Sequence, residues 1–218
     1  MEKAYFPMTY YRLTQGYGKD SSTHKTIYAL DLGGKDQGID EVYAPFTGTI
    51  MKCYSKEGVA NTIWFQSNEE VSCANNEKTF LTILVAHDND ISNLKPGMVI
   101  KQGEVLCHEG RSGKASGNHI HLEVSNKKFN GTGWHKNKNG EWQINNPVKP
   151  EEYLFLKANQ IVLNNKYKNH VYDFKRENDF YYLREIPLNN CLIRFNDNLD
   201  KETYLKAISE IKSWIEKS

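Results

Sequence analysis

Two histidines one residue apart, His119 and His121 in GNHIHLEV (117–124), are the residues of this 218-residue chain whose spacing most directly suggests chemistry. The run reads as a β-strand, and alternate residues of a strand share a face. The two imidazoles therefore stand side by side, while Ile120, Leu122 and Val124 alternate toward a core. The chain has seven histidines, so one H-x-H pair arises by chance roughly 0.2 times and needs partners before it means anything. Upstream, THKTIYALDL offers His24 and Asp31. A carboxylate inside an apolar run is expensive to bury alone, and either a metal or a neighbouring lysine would justify it. His87 ends the run FLTILVAH, where a sheet meets solvent; that place suits an ordinary edge histidine as well as a reactive one. Taken jointly, His24, Asp31, His87, His119 and His121 all fall at or near strand ends. Two histidines and one aspartate suit catalytic zinc and leave a fourth position for water. The other two histidines are then free for proton transfer and charge stabilisation.

The elements that must position these residues are short. TIYALDL (26–32), GTIMKCYS (48–55), NTIWFQS (61–67), FLTILVAH (80–87), GEVLCHEG (103–110) and NHIHLEV (118–124) all have β composition. GGKDQG, APFTG, SNEE, LKPG and GRSGKASG separate them as turns. The pattern predicts a mainly β, antiparallel domain over residues 1–157 with no helix before 125. Residues 126–150 are rich in Asn, Lys and Gly; GWHKNKNGEW there reads equally as a hairpin flanked by Trp134 and Trp142 or as a rim loop. Pro150 and two acids after it signal a helix start. Residues 158–218 read as a small α+β appendage: two or three strands, then a helix capped by Asp200 with Tyr204, Leu205, Ile208, Ile211, Trp214 and Ile215 on one face. A binding role for this appendage and a simple extension of the fold are both open.

Composition narrows the partners. A net charge of +1 supplies no general attraction for nucleic acid. No run approaches 18 apolar residues, so no membrane insertion is expected. MEKAYFPMTYYRL has no signal-like apolar core, so synthesis in the cytoplasm is expected. Cys53, Cys73, Cys107 and Cys191 are scattered, without C-x-x-C, and read as reduced structural thiols.

The motifs resemble those of the lysostaphin-type zinc endopeptidases, which cut peptide bonds in bacterial peptidoglycan. The likeness runs through TQGYG (14–18), HKTIYALDL (24–32), VYAPFTGTI (42–50), ILVAH (83–87) and LKPGMVIKQGEVLCHEGRSGKASGNHIHLEV (94–124), the last block being the most specific. The resemblance implies that His24, Asp31 and His121 bind Zn2+ and that His87 and His119 form the catalytic pair. The family most often places three residues between its first His and Asp; here there are six, a form that resembles a branch of the family with the YALDL segment. Asp88 and Asn89 follow His87 where an apolar residue is common. Tyr17 and Tyr28 are candidates to steady an oxyanion, though each reads first as a packing residue, and Gly110, Gly113 and Gly117 would let their loop approach an extended peptide. His108, His135 and His170 are read as structural or exposed.

Rival readings are less well served. APFTGTIMK and KPGMVIKQGEVL also resemble a biotinyl- or lipoyl-like carrier module, but Lys52 falls inside a strand and a carrier has no use for H-x-H. A cysteine nucleophile would want a helix N-terminus, and Cys107 lies in a strand pattern. There is no G-x-S-x-G for a serine enzyme. A non-catalytic wall-binding module would not need all five functional positions filled. The resemblance therefore implies a peptidoglycan hydrolase, expected to be a bacteriophage endolysin made in the host cytoplasm. It would reach the cell wall once a pore-forming lysis partner permeabilises the membrane. A phage tail component is the other placement.

Overall fold

The structure, a computed structural model, describes residues 1–8, 11–19, 21, 23–34, 38–155, 161–163, 171–177, 180–186 and 190–196. Its strands, in chain order, are β1 (Tyr11–Gln15), β2 (Ala29–Gly33), β3 (Glu41–Tyr43), β4 (Gly48–Tyr54), β5 (Thr62–Ser67), β6 (Val71–Ser72), β7 (Lys78–Thr79), β8 (Thr82–Ala86), β9 (Val99–Ile100), β10 (Val105–His108), β11 (Ile120–Ser125), β12 (Trp134–Lys136), β13 (Trp142–Ile144) and β14 (Pro147–Val148). A single helical turn, α1 (Pro150–Tyr153), begins at the proline, whose missing N–H is no loss at a helix start. Then come β15 (Ile161–Leu163), β16 (Val171–Glu177), β17 (Phe180–Ile186) and β18 (Asn190–Asn196).

Nine strands form one sheet, in the order β15-β1-β2-β11-β8-β5-β4-β9, with β14 also paired to β11. Neighbours run antiparallel except β15, which lies parallel to β1. The mainly β antiparallel architecture expected from the sequence is therefore present. β8, TILVA, is buried at every position because both faces of the sheet are covered at its centre. On one face Leu30, Leu32, Ile63, Phe65, Ile83, Val85, Ile120, Leu122 and Val124 pack with Val42, Phe46 and Leu106 into the larger core. Phe46 and Phe65 stack there with ring centroids 5.4 Å apart. On the other face Trp64, Leu84, Ala86 and Ile144 form a smaller cluster, with Met51, Tyr54, Phe129 and Trp134 against it.

The 126–150 segment takes the hairpin form: β12 and β13 pair Trp134 with Ile144 and Lys136 with Trp142. Gly133, at φ +83°, lets the hairpin lie on Trp64, whose indole N–H donates to the Gly133 carbonyl at 3.0 Å. After residue 158 four strands are described rather than two or three; β15 is too short to register as alternation. β16, β17 and β18 form an antiparallel sheet. The helix expected over 200–218 and His170 lie outside the described residues. Among the described residues no helix is long and apolar enough to cross a membrane.

Candidate metal centre and catalytic histidines

The metal-ligand candidates meet because two strands are in register. β2 and β11 pair Asp31 directly with His121, Leu30 with Leu122 and Leu32 with Ile120. Directly opposed residues in an antiparallel pair share a face. The leucine pairs therefore enter the core while Asp31 and His121 stand together on the far side. His121 Nδ1 lies 3.2 Å from Asp31 Oδ1. His24 comes from the loop before β2, where Gly18 N–H donates to the His24 carbonyl at 3.0 Å and His24 N–H donates to Ser21 Oγ at 2.9 Å. These bonds bury His24 and set its Nε2 3.6 Å from the same Asp31 oxygen. One ligand atom from each of His24, Asp31 and His121 lies within 4.8 Å of the other two. Two imidazoles and one carboxylate at this spacing are a donor set that fits zinc.

His119 sits two residues before His121 on the same face, its Nε2 4.0 Å from Asp31 Oδ2. His87 follows β8, the strand on the other side of β11. The His87 and His119 rings are 4.5 Å apart and those of His87 and His121 6.3 Å apart. All five side chains picked from the sequence are thus together. His87 Nδ1 is 2.8 Å from the Ser112 carbonyl and His119 Nδ1 is 2.8 Å from the Gly117 carbonyl. A carbonyl only accepts, so each ring carries a proton on Nδ1, and in its neutral form leaves the lone pair on Nε2. Two proton acceptors therefore flank Asp31 and His121.

Three features are absent from the sequence reading. His87 has φ +86°, a left-handed backbone that a non-glycine residue adopts at a cost of about 1–2 kcal/mol. The segment after it is wedged against Gly110, whose N–H and carbonyl bridge His119 at 3.3 and 3.2 Å. A Cβ at Gly110 would stand 2.2 Å from the His87 carbonyl oxygen. Gly110 and Gly113 therefore serve close approaches within the chain itself, and only Gly117 faces open space. Glu123 is the third feature. It lies on the His119–His121 face, is 2 % exposed, and places Oε1 3.0 Å from His121 Nε2. A carboxylate two residues beyond H-x-H inside an apolar strand was the available signal.

The electrostatics follow from burial and these pairs. Burial opposes a charge on His121, but the hydrogen bonds to Asp31 and Glu123 outweigh it and carry its pKa up to about 10. Burial raises the Asp31 carboxyl, and the hydrogen bond and charge of His121 reverse this to a net lowering. Burial dominates at His24, bringing it down to about 4. It also lowers His87, against the bond to Ser112. With both ring nitrogens facing carboxylates, metal-free His121 is an imidazolium. To ligate through Nδ1 it gives up that proton and keeps the one on Nε2.

The remaining candidates separate from the site. Tyr17 donates its hydroxyl to the buried Glu151, in keeping with a packing role. Tyr28 is exposed and packs edge-on against Tyr17, with ring centroids 5.3 Å apart. His108 and His135 are exposed, as expected. Cys73 and Cys107 are buried; burial pushes Cys73 up to about 12 and Cys107 well above the usual thiol range, so neither is a ready nucleophile.

No family profile matches the chain. "Morphogenesis protein 1" of Bacillus phage B103 is 32% identical over 124 residues, 57% of this chain and 32% of that protein, so the likeness spans about a third of the relative's length. A zinc-containing peptidase from Vibrio cholerae is similar in structure, with TM-score 0.42 and 22% identity, over 56% of this chain and 37% of that one. The catalytic domain of lysostaphin from Staphylococcus simulans gives TM-score 0.40 and 18% identity over 68% and 88%. The chain resembles the lysostaphin-type zinc peptidases in its motifs, and lysostaphin itself stands among the solved structures similar to it.

Proposed function

We propose that this chain is a zinc-dependent endopeptidase that hydrolyses peptide bonds in bacterial peptidoglycan. The reading rests above all on one observation: His24, Asp31 and His121 converge, and the rings of His87 and His119, 4.5 Å apart between centroids, stand beside them. His24 Nε2, Asp31 and His121 Nδ1 would hold the zinc, which would supply an electrophile able to polarise a carbonyl and acidify water. His119, next to Asp31, accepts the proton of the attacking water at Nε2, and the Asp31 carboxylate 4.0 Å away steadies the resulting imidazolium. The His119 imidazolium then gives that proton to the leaving amine, and His87, its ring centroid 4.5 Å from that of His119, shares the acceptor role. Peptidoglycan as the substrate comes from the motif resemblance, and nothing in the site selects which wall peptide bond is cut.

The test is hydrolysis of purified sacculi by the purified chain. New amino groups should appear with one zinc per molecule, vanish on chelation, return with added zinc, and be missing in His121→Ala. Zinc-loaded protein that releases no amino groups from any sacculus refutes the reading, and mass spectrometry of the released peptides names the bond.

For placement, the proposal is an endolysin made in the host cytoplasm that meets the wall after a pore-forming partner opens the membrane. The likeness to a phage morphogenesis protein favours a second placement, a wall-opening enzyme carried on the virion. Mass spectrometry of purified particles against infected-cell lysate decides between them: an endolysin is found only in the lysate.

A further inference from the structure

We propose that Glu123 is a positioning residue of the metal site: its buried carboxylate holds the Nε2–H of His121 and so turns Nδ1 toward Asp31 and His24. The inference rests on the zinc reading above and assigns a role to a residue outside the five that the motifs identify.

Glu123 stands opposite Ala29 on one side and Leu84 on the other, beside the apolar cluster of Trp64, Leu84, Ala86 and Ile144. Such a place suits a valine or leucine, and an unpaired carboxylate there would cost several kcal/mol. Both of its oxygens are engaged. Oε1 faces His121 Nε2 at 3.0 Å, and Oε2 accepts the Ile144 backbone N–H at 2.7 Å. Among the described residues the charged partner of Glu123 is His121, so the carboxylate does not serve a lysine or arginine. Residues 121 and 123 point the same way from one strand, so the pair needs no loop to bring it together. An imidazole can ligate through either nitrogen, and the partner of the other nitrogen decides which. Here that partner is fixed from behind by a backbone amide that cannot rotate.

That amide belongs to the β12–β13 hairpin, which also braces the other histidine ligand. At the turn of the hairpin Asn137 donates its side-chain N–H to Thr26 Oγ1 at 3.0 Å, and the Thr26 hydroxyl bonds to Glu141. Thr26 is two residues past His24. One hairpin thus steadies His121 through Glu123 and the His24 loop through Thr26.

The variant is Glu123→Gln, which keeps the shape but offers one acceptor to two donors. Competition with a chelator of known zinc affinity should show zinc bound roughly 10–100-fold more weakly than in the wild type. Activity on sacculi, lost at limiting zinc, should return at saturating zinc with an unchanged KM, because Glu123 has no part in binding substrate. A residue needed only for folding would show no such rescue. Glu151→Gln, at a buried carboxylate outside the site, should leave zinc affinity unchanged. A second measurement needs no variant: long-range 1H–15N NMR of the zinc-loaded wild type should show His121 metallated at Nδ1 with a slowly exchanging proton on Nε2. Zinc affinity in Glu123→Gln within about twofold of wild type, or His121 metallated at Nε2, overturns the proposal. A wild type that binds no zinc overturns the zinc reading itself, an outcome distinct from either.

Discussion

Replacing Gly110 with alanine should separate catalysis from metal binding. The new methyl would meet the His87 carbonyl oxygen at 2.2 Å and the Asn89 nitrogen at 2.6 Å, both backbone atoms that cannot swing aside. Relief requires the segment carrying Gly110 and the turn carrying His87 to part by about 1 Å, and overpacking of this kind costs about 1–3 kcal/mol. Gly110 is bridged to His119, and the His87 carbonyl accepts from Ser112 N–H at 3.1 Å. Parting them therefore widens the 4.5 Å separation of the His87 and His119 rings, the proposed catalytic pair. A displacement of about 1 Å in such a pair costs on the order of 100-fold in rate. Asp31 and His121 lie on the paired strands β2 and β11 and His24 on a separate loop, so zinc content should stay at one per molecule. The assay is amino-group release from sacculi, run beside metal analysis and urea unfolding, with Gly117→Ala as the control because its Cβ meets nothing within 4 Å. Wild-type rates in Gly110→Ala, or zinc lost in proportion to activity, would refute the reasoning.

Other expectations follow from the same geometry. His119→Ala should keep its zinc yet lose at least 100-fold in kcat, since general base catalysis contributes roughly 10²–10⁴-fold; zinc loss in this variant would move His119 into the ligand set. Burial lowers the His87 pKa, and the base works only when neutral, so activity should fall on the acid side below pH 6.5; a kcat/KM limb above 6.5 that disappears in His87→Ala contradicts this. Burial raises Glu151 to about 7 from 4.5, so the folded chain holds the extra proton. Its contribution is then complete below pH 4.5 and is lost as the pH rises through 7, by up to about 3 kcal/mol at 1.36 kcal/mol per unit. Glu151→Gln should flatten that slope in urea unfolding at pH 5 and 8, and parallel slopes in the two proteins would remove Glu151 as its source. Iodoacetamide on the native chain should leave activity intact, given the raised thiols of Cys73 and Cys107; inactivation would reopen the cysteine mechanism.

Much of the site was legible because strand alternation is a strict rule. His119 and His121 could be placed on one face, and Ile120, Leu122 and Val124 on the other, without knowing which strands flank them. The neighbours were not legible. That Asp31 stands opposite His121 is a register between residues 90 positions apart, and the motif resemblance rather than periodicity paired them. Tyr17 shows the same limit: its hydroxyl partner, Glu151, lies 134 residues away and no local pattern announces it. Glu123 was overlooked because a glutamate in a strand ordinarily marks the solvent side. The left-handed backbone of His87 has no compositional sign, since glycine is the residue that usually announces it.

The register that makes the core also sets the metal site. Leu30 opposite Leu122 and Leu32 opposite Ile120 bury their side chains on one face, and the same pairing brings Asp31 to His121 on the other. A slip of one residue would turn the histidines and Glu123 inward and the leucines outward, so the apolar face holds the alignment against the alternatives. β8 adds a second lock, pairing Val85 with Leu122 and Ala86 with His121, so that His87 leaves the sheet beside the site. The ligand geometry is thus set by contacts that no ligand makes. The strain at His87 and the burial of His24 and Glu123 persist because the packing behind them holds the backbone in this arrangement.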